Sequence, residues 1–273
     1  MSLSISVVIP AFNSEETIGS SLLSALQQTR KPKEIIVIDD ASTDETRSVV
    51  RRIAESAEIP ILLIDSEFNA GPGISRNQGW EQSSADLIAF LDADDLWHPK
   101  KLEVQVPLME STPSIMMSCH DRTVGRFEGW KEINEPCLRQ KTYGLRHFLL
   151  RNRCATPSVI VRRSIGDRFS SSLRFSEDYY LWLSIILHYG PISFIDFPLV
   201  HCANPAYGGS GLSGRLLPMM KSEIRAYRLL FERGELPLLA YPLVVFWSCL
   251  KFVVRLLDHH VLHDRLQRAS ETQ

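Results

Sequence analysis

The stretch Leu91-Asp92-Ala93-Asp94-Asp95 places three carboxylates directly after an apolar run that begins at Ala85. The run predicts a buried strand of a parallel sheet, and open α/β sheets bind ligands beyond the carboxyl ends of their strands. Carboxylates this close raise one another's pKa unless a cation or a buried partner intervenes. Because Mg²⁺ usually binds one or two carboxylates together with phosphate oxygens, the stretch indicates a divalent metal that holds a substrate diphosphate. The alternative is a turn in which Asp95 caps a helix entering at Pro99.

Composition excludes several classes of protein. Hydrophobic residues at 44% and charged residues at 23% are ordinary for a globular chain of 273 residues. The formal net charge of −2 gives no support for a nucleic-acid partner. The five cysteines are scattered and contain no C-x-x-C pair, so neither a zinc site nor a disulfide framework is predicted. A reducing, cytosolic setting fits this cysteine usage best.

Strands and helices alternate over the first 95 residues. Strands are predicted at residues 4–10, 34–39, 59–64 and 87–91. The helices between them start near Ser14, after the capping box Ser42-Thr43-Asp44-Glu45, and at residue 74. This alternation predicts right-handed βαβ units and a mostly parallel sheet, which is an α/β fold.

The second half of the chain is less regular. Helices are predicted at residues 99–109, 143–151, 177–189 and 217–233, and extended segments at 114–119, 157–161 and 192–200. A segment rich in Gly and Ser follows at residues 204–214. It suits either a mobile loop over a site or a plain surface loop.

The C-terminal region is strongly apolar. Residues 236–250 carry no charge, but fifteen residues fall short of the about 20 that span a bilayer. Lys251, Arg255 and His259 then recur every four residues among apolar neighbours. This pattern favours either a helix lying in a membrane interface with a narrow cationic stripe, or a helix docked on the protein's own core or on a second subunit.

Two further strand ends carry polar or aromatic groups. Phe12 and Asn13 follow the first strand, where a flat ring can cover a base or a ribose or can simply plug the loop. Asp39 and Asp40 end the second strand, and one of them could accept hydrogen bonds from a base or a ribose while the other serves the turn. Parallel strands bring these groups and the acidic stretch to one edge of the sheet.

Two other groups complete the candidate site. Arg76 follows the flexible Gly71-Pro72-Gly73, and it could donate to a phosphate or form a surface salt bridge. Glu177 and Asp178 open an aromatic-rich helix, where the helix dipole alone could favour acids. A carboxylate at that position could also serve as a general base.

Taken in order, these motifs resemble family 2 glycosyltransferases of the GT-A fold over roughly residues 4 to 215. The matching pieces are Ser6 to Asn13 with Glu15, Ile35 to Asp44, Asn69-Ala70-Gly71 with Arg76-Asn77, Phe90 to Asp95, and Glu177-Asp178. The runs from Asp95 to Glu103, Thr156 to Val159 and Glu177 to Leu183 resemble the branch that builds teichuronic acid and other bacterial surface polysaccharides.

The resemblance implies an organisation and a set of partners. Residues 1–215 would form the GT-A domain, with a donor half at 1–95 and an acceptor half at 96–215, followed by a helical tail at 216–273. The partners would be a nucleoside-diphosphate sugar, a lipid-linked or glycan acceptor and, through residues 236–268, a membrane surface; a homo-oligomer is also compatible. The protein would be cytoplasmic and peripheral at the inner face of the cell membrane.

The resemblance also implies a role for each site residue. Pro10, Ala11, Phe12 and Asp40 would hold the base and ribose of the donor, with Glu15 nearby. Arg76 would support the diphosphate, Asp92 the ribose or sugar, and Asp94 would ligate Mn²⁺ or Mg²⁺. Asp178 would be the base that deprotonates the acceptor for a single inverting displacement.

Two departures from the family pattern matter. Phe12 stands where many relatives carry Tyr, so a phenol hydrogen bond is absent. The Gln/Arg-x-x-Arg-Trp motif of processive synthases is missing, which favours transfer of a single sugar. The rival functions are a sugar-1-phosphate nucleotidyltransferase, whose Gly-rich opening segment is missing from residues 1–30, and a non-catalytic nucleotide-sugar-binding module.

Overall fold

The structure is a computed structural model that describes residues 2–133, 138–203 and 216–270, with side chains described as far as residue 256. The Gly- and Ser-rich segment at 204–214, the predicted domain boundary at 215 and the side chain of His259 therefore lie outside the described residues.

The first four strands form the predicted parallel sheet. They are β1 (Ile5–Ala11), β2 (Glu34–Asp39), β3 (Ile61–Asp65) and β4 (Leu87–Phe90), and the connecting helices are α1 (Ile18–Leu26), α2 (Thr46–Ala54) and α3 (Pro72–Gln82). The strands lie in the order β3-β2-β1-β4, and each neighbouring pair is parallel. Every residue of β1 is buried, as expected for a strand covered on both faces.

The later elements extend this sheet in mixed directions. They are β5 (Asp95–Trp97), α4 (Lys101–Ser111), β6 (Met117–Val124), β7 (Gln140–Tyr143), α5 (Leu145–Leu150), a 3₁₀ turn (Thr156–Ser158), β8 (Ile160–Arg162), α6 (Glu177–Tyr189), β9 (Ile192–Cys202), α7 (Leu216–Glu232) and α8 (Ala240–Ser270). In the described part of the chain the order continues β4-β8-β6-β9-β5, with β7 also on β9. Strand β8 runs antiparallel to β4, whereas β6 and β9 are parallel to each other.

Two apolar cores lie on opposite faces of the sheet, because alternate side chains of each strand point to opposite sides. One core packs Val8 and Phe90 against α3, α6 and α7, and the other packs Ile9 and Leu91 against α1 and α4. Helix α3 lies so close to β1 that a Cβ on Gly79 would come within 2.5 Å of Val8 Cγ1. This close packing holds α3 directly against β1.

Two local predictions are corrected. The capping box at 42–45 does not form: α2 begins at Thr46, and Ser42 Oγ instead accepts a hydrogen bond from Asn13 N at 2.9 Å. Asp95 does not cap a helix, because it lies in β5, where it pairs with Cys202 of β9. Both residues are held by partners distant in sequence, which local patterns do not reveal.

The expected absence of disulfides is also corrected. Cys119 of β6 and Cys154 are joined by a disulfide, with their Cα atoms 6.0 Å apart. The two cysteines are 35 residues apart and meet because β6 passes beside the segment that leads into the 3₁₀ turn. Sequence spacing carries no information on such a contact.

Helix α8 docks on the domain through one side. Trp247 Nε1 donates to the carbonyl of Leu150 at 2.8 Å, and Lys251 Nζ donates to the carboxylate of Glu223 on α7. The predicted cationic stripe therefore faces the protein where its side chains are described. Among the residues that the structure describes, no helix is long and apolar enough to cross a membrane.

Candidate active site

The larger of two neighbouring cavities opens at the carboxyl ends of the parallel strands. Its volume is about 820 Å³. Seven of the predicted site residues line it: Pro10, Ala11, Phe12, Asp40, Arg76, Asp92 and Asp94. They come from the ends of β1, β2 and β4 and from α3, so the convergence expected from the sheet topology is observed.

The adjacent aspartates after β2 have separate roles. Asp39 Oδ2 accepts a hydrogen bond from Ser42 N at 3.0 Å and so stabilises the turn. Asp40 accepts from the amides of Ala70 and Gly71 at 2.9 and 2.8 Å, and it lines the larger cavity. Gly71 has φ = 93°, a conformation that favours glycine, and this brings its amide to Asp40.

Arg76 is buried between two acids from different parts of the chain. Its guanidinium donates to Asp92 Oδ1 at 2.6 Å and to Glu177 Oε1 at 3.2 Å. Burial and the nearby Asp178 raise the pKa of Glu177 to about 7, although Arg76 opposes this shift. The surface salt bridge considered as an alternative is thus wrong, because the ion pairs of Arg76 are largely buried and link α3 to the start of α6.

The smaller cavity, of about 270 Å³, contains the predicted base. Asp178 Oδ1 accepts from Tyr179 N at 2.7 Å, and its Oδ2 lies 3.2 Å from Asn152 Nδ2 and 3.4 Å from Thr156 Oγ1. Burial raises the pKa of the Asp178 carboxyl above its usual value. A carboxylate with a raised pKa is a better proton acceptor than an ordinary one.

The two cavities share a wall. Asp92 and Asp94 line both, so groups held in either cavity meet at the acidic stretch. Asp40, Asp94 and Asp178 therefore face one connected region and not separate surfaces. This arrangement is the geometric requirement for a reaction that joins two bound molecules.

The acidic stretch fits a divalent cation that is completed by a ligand. Burial, and secondly the neighbouring Asp92 and Asp94, raise the pKa of Asp95 to about 8. No cluster of three His, Cys, Asp or Glu side chains suited to hold a metal by itself occurs among the described residues. Mg²⁺ typically takes one or two protein carboxylates plus phosphate oxygens, and Asp94 with its neighbours matches that requirement.

Glu15 lies apart from the other predicted residues. Its carboxylate accepts from the amide of Glu45 at 2.8 Å, and its own amide donates to Asp44 at 3.0 Å. These bonds tie the loop after β1 to the loop before α2. Within the described residues, Glu15 is not part of the lining of either cavity.

Three non-glycine residues of the described chain have positive φ, and all lie in loops around the cavities. They are Asn13, Ala41 and Ser176, with φ of 47°, 63° and 54°. Each directly follows or precedes a site residue, namely Phe12, Asp40 and Glu177. Such conformations are costly and cluster at functional sites.

Several lining residues were not predicted from the sequence. They are Asn152, Thr156, Arg122, Lys251 and Arg255, all of the smaller cavity. Thr156 lies within a run that resembles the surface-polysaccharide branch, but nothing in the run specifies its contact with Asp178. Lys251 and Arg255 are marked in the sequence only as members of a cationic stripe.

Known proteins are similar to this chain in sequence and in fold. Residues 6–169 match the family described as Glycosyl transferase family 2. UDP-Glc:alpha-D-GlcNAc-diphosphoundecaprenol beta-1,3-glucosyltransferase WfgD of Escherichia coli is 35% identical over 191 residues, which cover 67% of this chain and 69% of WfgD. TuaG of Bacillus subtilis (strain 168), named for teichuronic acid biosynthesis, is 35% identical over 185 residues, covering 67% of this chain and 71% of TuaG.

The fold is also that of a solved structure. The crystal structure of S. aureus TarS 1-349 in complex with UDP-GlcNAc matches with a TM-score of 0.68, covering 93% of this chain and 72% of the TarS 1-349 chain at 19% identity. This likeness confirms the predicted GT-A architecture. The sequence matches confirm the resemblance to glycosyltransferases of surface-polysaccharide synthesis.

Proposed function

Because the chain belongs to glycosyl transferase family 2 and is a glycosyltransferase, we propose that it moves one sugar, with inversion, from a UDP-sugar to a hydroxyl of a lipid-diphosphate-linked acceptor. The observation that carries this proposal is the wall shared by the two cavities, which brings Asp94 and Asp178 to one connected region. WfgD acts on such a donor and acceptor according to its name. Family membership sets aside the nucleotidyltransferase and the non-catalytic module.

The donor occupies the larger cavity in this proposal. The half-exposed ring of Phe12 covers the base, and Pro10 and Ala11 shape the floor beside it. Asp40 holds the loop at residues 69–71 that closes the nucleotide side of the cavity. Arg76 adds positive charge to the wall beside the diphosphate and keeps Asp92 in place.

The acceptor hydroxyl lies against Asp178 in the smaller cavity. The Asp178 carboxylate takes the hydroxyl proton as the oxygen attacks the anomeric carbon, and the bond from that carbon to the diphosphate oxygen breaks with its electron pair leaving on the diphosphate. Contacts from Asn152 and Thr156 orient the carboxylate. Because the attack comes from the face opposite the leaving group in a single step, the anomeric configuration inverts.

Asp94 is the residue that would hold Mn²⁺ or Mg²⁺. A divalent cation there supplies positive charge that stabilises the departing diphosphate. Asp94 lines both cavities, so a cation held there would border the donor and the acceptor alike.

We further propose that the protein works peripherally at the cytoplasmic face of the membrane. Helix α8 exposes a row of large apolar side chains, which are Leu243, Phe246, Leu250, Val253 and Val254. Such a row is suited to lie in the interface of a bilayer. An acceptor on a lipid carrier would be met at the same surface.

The decisive experiment is transfer by the purified full chain with Mn²⁺ or Mg²⁺. UDP-glucose and UDP-GlcNAc would be offered with N-acetylglucosamine linked through a diphosphate to an alkyl chain. The expected product is a disaccharide whose new bond is β when the donor is α, as read by NMR coupling constants. A product that keeps the α configuration, or release of free sugar alone, would contradict the proposal.

A further inference from the structure

Helix α8 has two chemically different sides. The exposed apolar row named above recurs every three or four residues along one side. Val244, Ser248, Lys251 and Arg255 have the same spacing on the other side; the first two are buried, and the last two line the smaller cavity. The same helix therefore faces outward with apolar groups and inward with cations.

The inward cations line the smaller cavity. Lys251 and Arg255 of α8 and Arg122 of β6 lie in its wall, which also contains the carboxylates of Asp92, Asp94, Asp95, Asp178 and Glu223. Lys251 contacts Glu223 of α7, and its side chain is only 15% exposed. Its ammonium group therefore has a fixed position. The wall of this one cavity thus carries cations from α8 and β6 as well as carboxylates.

These charges dictate how a molecule with one anionic group would lie. A hydroxyl that reacts must reach Asp178, whereas a phosphate is repelled from the carboxylates and attracted to the cations of the wall. Lysine and arginine are the side chains that bind phosphates, arginine by a forked pair of hydrogen bonds. The cavity volume of about 270 Å³ leaves room for a small group beside these side chains.

We propose that Lys251 and Arg255, together with Arg122, bind the phosphate group that links the acceptor sugar to its carrier. The inference rests on the proposed function and adds the residues that select the acceptor. Helix α8 then has a second role, because its outer side meets the lipid while its inner side holds the charged linkage of the same acceptor. The selected class is a glycosyl phosphate or diphosphate ester, and a neutral glycoside is disfavoured.

The test compares two acceptors that differ only in charge. One is N-acetylglucosamine joined to an alkyl chain through a diphosphate, and the other is the same sugar joined to the same chain through an ether oxygen. The full chain is assayed as wild type and as Lys251→Gln, Arg255→Gln and Arg255→Lys. The matched control is Arg228→Gln, an exposed α7 residue paired with Glu232 that lies outside both cavities.

The expected result is a selective change in KM. Loss of one charged hydrogen-bond donor should raise KM for the diphosphate acceptor about tenfold or more, with kcat little changed. KM for the ether acceptor should change less than about twofold, Arg255→Lys should recover part of the loss, and Arg228→Gln should behave as wild type.

Three outcomes would overturn the inference. Equal loss on both acceptors would show that the two side chains only support the fold, and Arg255→Gln tests this without removing the Lys251–Glu223 pair. Wild-type activity that is equal on both acceptors would remove the phosphate preference while leaving the proposed transfer intact. No transfer to either acceptor, with UDP-glucose binding retained, would contradict the proposed acceptor class itself, and the inference would fall with it.

Discussion

Arg76 of α3 and Glu177 of α6 form an ion pair at 3.2 Å although 101 residues separate them. The same guanidinium reaches Asp92 at 2.6 Å. One buried cation therefore joins the strand that ends in the acidic stretch to the helix that carries Asp178. The relative positions of the two cavities depend on this contact.

Replacing Arg76 with methionine should destabilise the protein strongly. Glu177 and Asp92 would lose their common cation, and breaking a buried pair from one side costs about 3–5 kcal/mol. Urea unfolding measures the change. The matched control is Arg51→Met, whose pair with Asp65 is exposed and should be worth only about 0–1 kcal/mol. Equal losses in the two variants would mean that burial of Arg76 has no energetic role.

Asp178→Asn should preserve donor binding and abolish transfer. The amide cannot take the acceptor proton, and loss of a general base lowers kcat by about 10²–10⁴-fold. UDP-glucose affinity by calorimetry should stay within twofold of wild type (about 0.4 kcal/mol). Asp65→Asn, at the sheet edge, serves as the control. Turnover that survives in Asp178→Asn would assign the base elsewhere.

Asp94→Ala should erase the effect of divalent metal on donor affinity. In the wild type, chelator should weaken UDP-sugar binding, because the cation links Asp94 to diphosphate oxygens. In the variant, titrations with Mn²⁺ and with chelator should coincide. A metal effect of unchanged size in Asp94→Ala would move the ligand role to another residue.

Three serine substitutions on the outer side of α8 should release the protein from lipid. Leu243, Phe246 and Leu250 are 68%, 68% and 41% exposed, so Leu243→Ser, Phe246→Ser and Leu250→Ser together cost little stability. Vesicle binding should fall at least about tenfold in co-sedimentation, since affinity scales with the apolar area buried. Phe68→Ser, 71% exposed elsewhere, is the control. A wild type that fails to bind vesicles would favour docking of this face on a second subunit.

His188 should make stability depend on pH. Hydrogen bonding to Asp167 and the nearby Glu235 raise its pKa above the ordinary 6.5. The folded state therefore favours the protonated ring, and this stabilisation is complete below pH 6.5 and is lost as pH rises through the raised pKa. His188→Gln should lower the free energy of unfolding more at about pH 6 than at about pH 9. A gap that stays constant with pH would show that the charge of His188 is unimportant.

The parallel half of the fold was predictable because its signals are local. Strands such as β2 are continuous apolar runs, and the sheet topology alone brings their polar ends together. Helix α6 begins and ends where its pattern predicts, at Glu177 and Tyr189. By contrast, β7 reads Gln-Lys-Thr-Tyr and is largely exposed, so no hydrophobic alternation marks it.

The smaller cavity was not predictable in the same way. Asn152 and Thr156 reach Asp178 from a segment whose position depends on packing between β6, β8 and α6. The spacing of Lys251 and Arg255 correctly indicates a cationic side of one helix. Spacing does not reveal which part of the protein the cationic side faces. In the structure it faces α7, where Lys251 contacts Glu223.

The wall formed by Asp92 and Asp94 has a practical consequence. Because this partition borders both cavities, one compound that carries a uridine at one end and a glycosyl phosphate at the other would fill both compartments together. Its second half would bind at the high effective concentration set by the tether. The length of the shortest tether that still allows tight inhibition would measure the distance over which the sugar is transferred.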